Sequence, residues 1–250
     1  MTGLLLRLAG PLQSWGEHST FADRDTLPYP TRSGITGIFA AAQGLRRGEP
    51  LGRYAPLTFT VRVDRPGVLL TDFHTVGGGL PRERSVPTAE GGRRAEGKAT
   101  IVTRRVYLSD AVFTVAVEGP DQLTDDLAAA LRAPHWQPYL GRRCCPPDQP
   151  LLLRVAGDPV DELRGQVPLP GRKPDEHGQV SVDILTEEPP GAGQALTEVA
   201  DVPVTFSRHD RRYELRTVRR EPAALPSALA RWRSKTEYHR ALAEYARRTA

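Results

Sequence analysis

The stretch that decides the fold lies at the start of the chain and reads Leu4-Leu5-Leu6-Arg7-Leu8-Ala9-Gly10-Pro11-Leu12-Gln13-Ser14-Trp15-Gly16. Its apolar run is interrupted only by Arg7 and stops at a glycine and a proline, which is typical of a strand buried on both faces of a sheet. The polar and aromatic residues 13–16 follow directly, where a sheet protein presents groups to a ligand. The alternative is an ordinary turn in which Trp15 packs for stability.

The composition indicates a soluble globular protein. Of the 250 residues, 39% are hydrophobic and 26% are charged. No run approaches the ~20 apolar residues of a membrane span, and no secretory signal is visible, so we expect a cytoplasmic protein with no membrane partner. The two cysteines, Cys144 and Cys145, are adjacent. Such a pair makes neither a disulfide framework nor a zinc site, so we expect no metal and no cofactor.

Basic charge is concentrated in two segments. Residues 208–250 hold twelve Arg or Lys against five Asp or Glu, and residues 77–106 hold seven against three. Nearly all of these residues are arginine, whose planar fork suits phosphates. Two basic segments on a slightly acidic body are able to form a phosphate-binding surface. The alternatives are a solvated face and the arginine codons of a GC-rich genome.

The order of the predicted elements indicates an α+β fold. A helix is predicted over residues 35–42. Arg32 and the free N–H groups at its start suit a phosphate. The alternative is simple capping of these N–H groups by Thr31 or Ser33, which needs no ligand. A second helix is predicted over 121–131. Strands are predicted at residues 4–8, 57–63 (half-buried), 68–76 (after a turn at Pro66-Gly67), 101–108, 111–117 and 151–155. The order strand, helix, strand, strand, helix, strand is that of a ferredoxin-like unit, which serves as an RNA platform in the RRM family.

A long hairpin with a basic tip is predicted from residues 68–76 and 101–108. The segment between them is rich in Gly and Arg and almost without apolar residues, so it cannot build a core and should project as a mobile excursion. Residues 139–147 form a second basic, turn-rich loop.

The C-terminal part is predicted to differ in character. Residues 157–201 are acidic and rich in Pro and Gly, which indicates a loop-rich subdomain, closed by strands at 202–206 and 212–218. From Ser227 to about Arg247 a basic amphipathic helix is predicted, with one stripe formed by Leu229, Trp232, Thr236 and His239. The regions are then 1–155, a small β- and loop-rich 156–220, and a helical tail 221–250. A protein adaptor that docks through the acidic region and the tail remains an alternative.

Catalytic motifs give one hypothesis. The histidines show no metal-ligand spacing, and the sequence has no nucleophile elbow, P-loop or Rossmann fingerprint. Metal-free RNA cleavage remains, with His74 and either Lys98 or Tyr107 as general base and acid. The alternative is that His74 is structural or a hydrogen-bond donor. We therefore favour a protein without catalysis and keep a metal-independent endoribonuclease as the second hypothesis.

Five blocks follow one another along the chain: residues 4–16, Pro30-Thr31-Arg32-Ser33-Gly34, Asp72-Phe73-His74-Thr75-Val76, Tyr107-Leu108-Ser109-Asp110-Ala111, and Pro138-Tyr139-Leu140-Gly141-Arg142-Arg143. Together they resemble the CasD family, a subunit of the type I-E CRISPR Cascade surveillance complex. The resemblance spans roughly residues 3–147. It implies a RAMP-type protein with a ferredoxin-like domain, a long β-hairpin thumb at about 77–103 and a small C-terminal β region.

The resemblance also implies a function. Family members bind the 5′ handle of the CRISPR RNA (crRNA) and contact the CasC backbone and the CasA large subunit, which brings them close to target DNA. CasE cuts the precursor RNA in these systems, although type I-C relatives of this family do cleave RNA. The RNA-binding residues implied are Gln13, Ser14, Trp15, Arg32, Ser33, His74, Arg82, Arg84, Arg104, Arg105, Tyr139, Arg142 and Arg143. The tail helix extends beyond shorter family members, so its role is not implied.

Overall fold

The computed structural model describes residues 2–17, 19–20, 22–88, 90–188, 197–207 and 210–248. Within these ranges the helices are α1 (Arg32–Ala42), α2 (Asp121–Arg132), α3 (Pro159–Gly165) and α4 (Lys235–Arg247). The longer strands are β1 (Gly3–Ala9), β5 (Thr58–Arg65), β6 (Val68–Val76), β7 (Ile101–Ser109), β8 (Val112–Glu118), β9 (Leu152–Ala156), β10 (Gln179–Glu188), β11 (Thr197–Phe206) and β12 (Arg211–Pro226). The short strands are β2 (Leu12–Gln13), β3 (Ser19–Thr20) and β4 (Asp23–Arg24).

The main sheet of the described residues is antiparallel and runs in the order β11-β12-β10-β5-β8-β1-β9. Helices α1 and α2 cover one face, where Ile38 and Leu127 join the core with side chains of β1 and β8. Helices α3 and α4 cover the other face through Leu163 and Leu242. Because both faces are covered, β1 is buried along its whole length. The predicted first strand is confirmed.

Arg7, the one charged residue in that run, is buried against α4. Its Nε donates to the hydroxyl of Tyr238 at 3.3 Å, and its guanidinium lies 5.8 Å from the centroid of the same ring. The aromatic face and the hydroxyl together compensate part of the cost of burying a charge. This is why an arginine fits within an otherwise apolar strand.

Strand β5 is confirmed, but it is buried on both faces rather than half-buried. It lies between β8 and β10 in the middle of the sheet, so even Arg62 is fully buried, with its Nε 2.6 Å from Asp64 Oδ1. Strand β6 does not return along β5 after the turn. It pairs with β7 from Val68↔Ser109 to Val76↔Ile101. The predicted long hairpin is therefore confirmed, within a second sheet that includes β2, β4 and β3.

The region after residue 156 is more regular than its composition predicts. Strand β10 pairs with β5 and β12 inside the main sheet. Its Val180, Val182 and Ile184 are buried, since alternate residues of this strand face the core under α3 and α4. The expectation of loops is wrong for this segment, whereas the predicted pairing of the last two strands is confirmed as β11 and β12. Residues 189–196 lie outside the described residues.

The C-terminal helix begins later than predicted. A 3-10 turn occupies Ser227–Ala230, and α4 starts at Lys235 with Ser234 as its N-cap. Thr236 and His239, which were expected on the apolar stripe, are exposed. The buried face consists of Tyr238, Ala241, Leu242 and Tyr245. Among the described helices, none combines the length and the apolar content that a bilayer crossing requires.

Candidate nucleic-acid interface

A groove of about 1080 Å³ opens where three of the predicted segments meet. The N–H of Ser14 donates to the carbonyl of Leu140 at 3.1 Å. A Cβ on Gly34 would lie 2.7 Å from the ring of Trp15, and a Cβ on Gly141 would lie 1.6 Å from the carbonyl oxygen of Ser14. Residues 13–16, 31–34 and 139–143 therefore converge, and two of their close contacts require glycine, at Gly34 against the Trp15 ring and at Gly141 against the Ser14 backbone.

The opening loop forms this wall with buried side chains. The amide of Gln13 donates to the carbonyls of Leu8 (3.1 Å) and Ala111 (2.8 Å), and its Oε1 accepts from the indole N–H of Trp15 (3.1 Å). Gln13, Ser14 and Trp15 are all at most 3% exposed. The expectation that this loop is exposed is wrong, because the loop's polar groups are satisfied internally. Trp15 packs in the hydrophobic core, as the alternative expects, and its part in RNA binding stays a prediction.

Arg32 begins α1 but faces inward, away from the groove. Its Nη1 lies 2.6 Å from Glu187 Oε2, and its Nη2 donates to backbone carbonyls between residues 54 and 57. Its N–H donates to Asp201 Oδ2 at 2.7 Å. A protein carboxylate thus already occupies the anion position at this helix N-terminus. Ser33, the next residue, is half-buried and lines the groove.

The two arginines of the 139–143 loop differ in their surroundings. Arg142 lies 4.6 Å from the centroid of the Tyr107 ring and donates to the carbonyls of Val106, Arg24 and Asp25. These hydrogen bonds tie the 139–143 loop to the neighbouring segments, so Arg142 has a structural role. Arg143 is exposed, and no ion pair engages it within the described part of the chain. Tyr139, which lines the same wall, is half-buried.

The groove as a whole is basic. Two acidic residues, Glu17 and Asp25, are outnumbered by the arginines that line it: Arg24, Arg46, Arg47, Arg142, Arg143 and Arg211. A cleft lined mainly by one sign of charge concentrates its field on an anionic ligand. Sequence reasoning missed four of these arginines, because they come from three segments that only the fold brings together. The adjacent Arg46 and Arg47, directly after the predicted first helix, were the one available signal.

The remaining predicted RNA-binding residues lie on the β6–β7 hairpin rather than in the groove. Arg82 and Arg84 occupy an exposed 3-10 turn in its tip. Arg104 is exposed and lies 5.6 Å from the ring centroid of Phe73, whereas the half-buried Arg105 donates to Thr103 Oγ1 at 3.1 Å. Strand β4 pairs with β7 at both of these arginines, so the middle of the hairpin adjoins the groove wall at Arg24.

The residues of the catalytic hypothesis are not brought together. His74 lies opposite Thr103, and Tyr107 lies opposite Leu70, which places His74 and Tyr107 about 13 Å apart along the hairpin. Tyr107 is buried. Burial, together with the contact of its hydroxyl to Cys144 Sγ at 3.6 Å, raises the pKa of Tyr107.

Two further findings bear on catalysis. Lys98 is exposed in the hairpin tip, and in the described part of the chain no hydrogen bond joins its side chain to His74 or Tyr107. No cluster of three or more His, Cys, Asp or Glu side chains is placed to hold a metal ion among the described residues.

Comparison with known proteins agrees with the resemblance seen in the sequence. Residues 3–219 match the family model described as CRISPR-associated protein (Cas_Cas5). A curated relative, the CRISPR system Cascade subunit CasD of Escherichia coli (strain K12), is 38% identical over 184 residues, which cover 67% of this chain and 78% of the relative. A solved chain of a "CRISPR RNA-guided surveillance complex" is 56% identical with a TM-score of 0.89, covering 98% of this chain and 100% of that one. Another solved chain, from a "Crystal structure of Cas protein", is 34% identical with a TM-score of 0.61, covering 92% and 97%.

Proposed function

Because the chain belongs to the CRISPR-associated Cas5 family, we propose that it is a non-catalytic RNA-binding subunit of a type I-E Cascade complex that holds the 5′ handle of the crRNA. The observation that carries this proposal is the basic groove. Exposed arginines such as Arg143 and Arg211 meet phosphates, which gives salt-dependent affinity. In this proposal Ser33 and Tyr139, which line the groove, contact bases and so fix the register of the handle.

The topology supports a ferredoxin-like core for this subunit. Strands β5, β8, β1 and β9 are neighbours in the sheet, with α1 following β1 and α2 following β8 along the chain. This order agrees with the βαββαβ arrangement of ferredoxin-like domains, which supports the proposal. In the proposal, the β6–β7 hairpin is the thumb of a RAMP-type domain, and β10 to β12 are its C-terminal β region.

The hairpin also supports a place in an assembly. Strand β6 pairs only with β7 within the described residues, and it exposes the large apolar side chains of Val68, Leu69, Leu70, Phe73 and Val76. A long, exposed apolar edge strand promotes aggregation unless another protein surface covers it. We assign that cover to a neighbouring CasC backbone subunit. The remaining partner, the CasA large subunit, would bring the handle site close to target DNA.

A metal-independent CRISPR-repeat endoribonuclease is the second candidate. The observation that favours it is His74, which is partly exposed on the hairpin with its Nδ1 3.5 Å from Asp72 Oδ2. Purified protein incubated with its own repeat RNA in EDTA tests this function. Cleavage that is lost in His74→Ala would establish it, and the absence of product in the unmodified protein would remove it.

Isolation of the complex from its native host tests the leading proposal. Photo-crosslinking of the bound RNA should give crosslinked peptides from the groove segments around Tyr139 and Arg211, attached to handle nucleotides identified by sequencing. Crosslinks confined to other faces of the chain, or a complex that holds its crRNA without touching this subunit, would overturn the proposal.

A further inference from the structure

Trp136 is a large aromatic side chain left exposed in the wall of the groove. It is 42% exposed, whereas Trp15 is buried and Trp232 is half-buried. Arg46 and Arg47 line the same groove, and both are exposed. None of these three residues belongs to the five blocks that carry the family resemblance.

Two backbone hydrogen bonds hold the segment that carries this ring. The N–H of His135 donates to the carbonyl of Ala42 at 2.9 Å, and the N–H of Trp136 donates to the carbonyl of Ala41 at 3.1 Å. Both acceptors lie in the last turn of α1, where carbonyls lack partners within the helix. The tryptophan is thereby fixed to a rigid element, so a ligand that stacks on it orders little additional backbone.

A second contact orients the indole. The imidazole of His135 packs edge-on against it, with ring centroids 4.9 Å apart and an interplanar angle of 72°. This imidazole has room because Gly44 lacks a side chain: a Cβ there would lie 2.8 Å from the His135 ring, and φ at Gly44 is +75°. Gly44, His135 and Trp136 thus form a supported platform at the groove.

Space for a flat ligand lies beside this platform. Gly37, Ala40 and Ala41 contribute the small residues of α1 that line the groove, and a Cβ at Gly37 would meet no atom within 4 Å. Sites for single-stranded nucleic acid combine exposed aromatic rings, on which bases stack, with arginines that meet the backbone. Resting on the proposed function, we propose that Trp136 stacks on one unpaired base of the handle while Arg46 and Arg47 meet the adjoining phosphates.

Scanning with abasic nucleotides tests this inference. Fluorescently labelled RNAs that carry the host's own handle, each with one base removed, are titrated into the complex assembled with unmodified chain or with Trp136→Ala. We expect Trp136→Ala to bind the intact handle about tenfold more weakly, within the range for one stacked base. One abasic position should weaken the unmodified complex by a similar factor and leave Trp136→Ala no weaker, because the two changes remove the same contact. Trp136→Phe should restore most of the affinity.

A matched control separates this contact from a general effect. Leu215→Ala truncates another exposed apolar side chain, 65% exposed and outside the groove lining, and should bind every RNA like the unmodified chain. The inference is overturned if Trp136→Ala binds the handle as tightly as the unmodified chain does. It is also overturned if no abasic position loses its effect in Trp136→Ala. Either result leaves the proposed handle site intact. If Trp136→Ala prevented assembly of the complex while the effect of each abasic position on RNA affinity stayed the same, Trp136 would contact a protein subunit. That result also overturns the inference. If the unmodified subunit contributes nothing to handle affinity, the proposed function itself fails.

Discussion

Arg216 on β12 and Asp201 on β11 form a two-pronged ion pair, with Nε–Oδ1 at 2.6 Å and Nη2–Oδ2 at 2.8 Å. Asp201 also accepts the N–H of Arg32 at the start of α1, and Glu187 of β10 pairs with both arginines. This cluster fastens strands β11 and β12 onto helix α1. Arg211 of β12 and residues of α1 both line the groove. Groove shape and C-terminal stability are therefore coupled.

Asp201→Ala should destabilise the protein strongly. The carboxylate is 1% exposed. Removing it leaves the buried guanidinium of Arg216 with Glu187 alone and the N–H of Arg32 without its acceptor, so we expect a loss of about 3–5 kcal/mol. Urea unfolding followed by circular dichroism measures it. Asp210→Ala breaks the exposed pair with Arg212 and should change stability little. Equal effects of the two substitutions would contradict this reading.

Glu187 should make stability depend on pH. Burial raises the pKa of Glu187 above its usual value of 4.5, although Arg216 and Arg32 oppose the shift. The folded state then takes up a proton at a higher pH than the unfolded state, so this group favours folding more as the pH falls. The stability of the unmodified chain relative to Glu187→Gln should therefore rise from neutral pH towards 4.5. Parallel pH profiles of the two proteins, measured by chemical unfolding, would refute this prediction.

Gly141→Ala should damage the groove. The residue has φ of +82°, and an added Cβ would lie 1.6 Å from the backbone oxygen of Ser14, so the 139–143 loop must move away from the opening segment. We expect a stability loss beyond the 1–2 kcal/mol of a left-handed alanine, together with weaker handle binding. Gly48→Ala is the matched control, since its φ of +92° gives the same strain but no atom lies within 4 Å. The two variants should separate in both thermal unfolding and RNA titration.

The hairpin arginines should contribute unequally. Arg104 is exposed over Phe73, whereas Arg105 is half-buried and bound to Thr103. If both meet RNA phosphates, each alanine variant lowers the slope of log affinity against log salt, and we expect Arg104→Ala to lower it more because its guanidinium is freer. Affinities measured at two or more salt concentrations provide the slopes. Unchanged slopes in both variants would mean that this part of the hairpin serves contacts between proteins.

Local patterns predicted the elements well, because hydrophobic spacing and turn residues act over short distances. The apolar strand β1 and the strands on either side of the Arg-rich tip lie where the sequence predicts them. These local patterns gave wrong predictions where contacts with residues far away along the chain determine the structure. Strand β10 lies in a segment whose acidic, Pro- and Gly-rich composition predicts loops, and its place in the sheet depends on pairing with the distant strands β5 and β12. The sequence predicts that Arg32 binds a phosphate, because its actual partners, Asp201 and Glu187, lie far away along the chain.

In the groove, too, local sequence predicts the segments, whereas distant contacts decide which side chains are exposed. Residues in the three segments were named as RNA-binding by the resemblance, but which of the groove arginines are exposed was not predicted. Exposure depends on which neighbours satisfy each side chain. Arg142 is largely engaged by carbonyls, whereas Arg143 beside it is exposed.

Replacing Arg143 and Arg211 with alanine therefore gives the most direct measure of groove electrostatics. Both residues line the groove and are exposed, so the double variant should remain folded while losing two phosphate contacts. On single-stranded RNA each lost contact lowers the salt slope by about 0.7, which gives about 1.4 for the pair. Arg240→Ala, an exposed arginine on α4 outside the groove lining, should leave the slope unchanged. A double variant with the slope of the unmodified chain would show that the handle phosphates lie elsewhere.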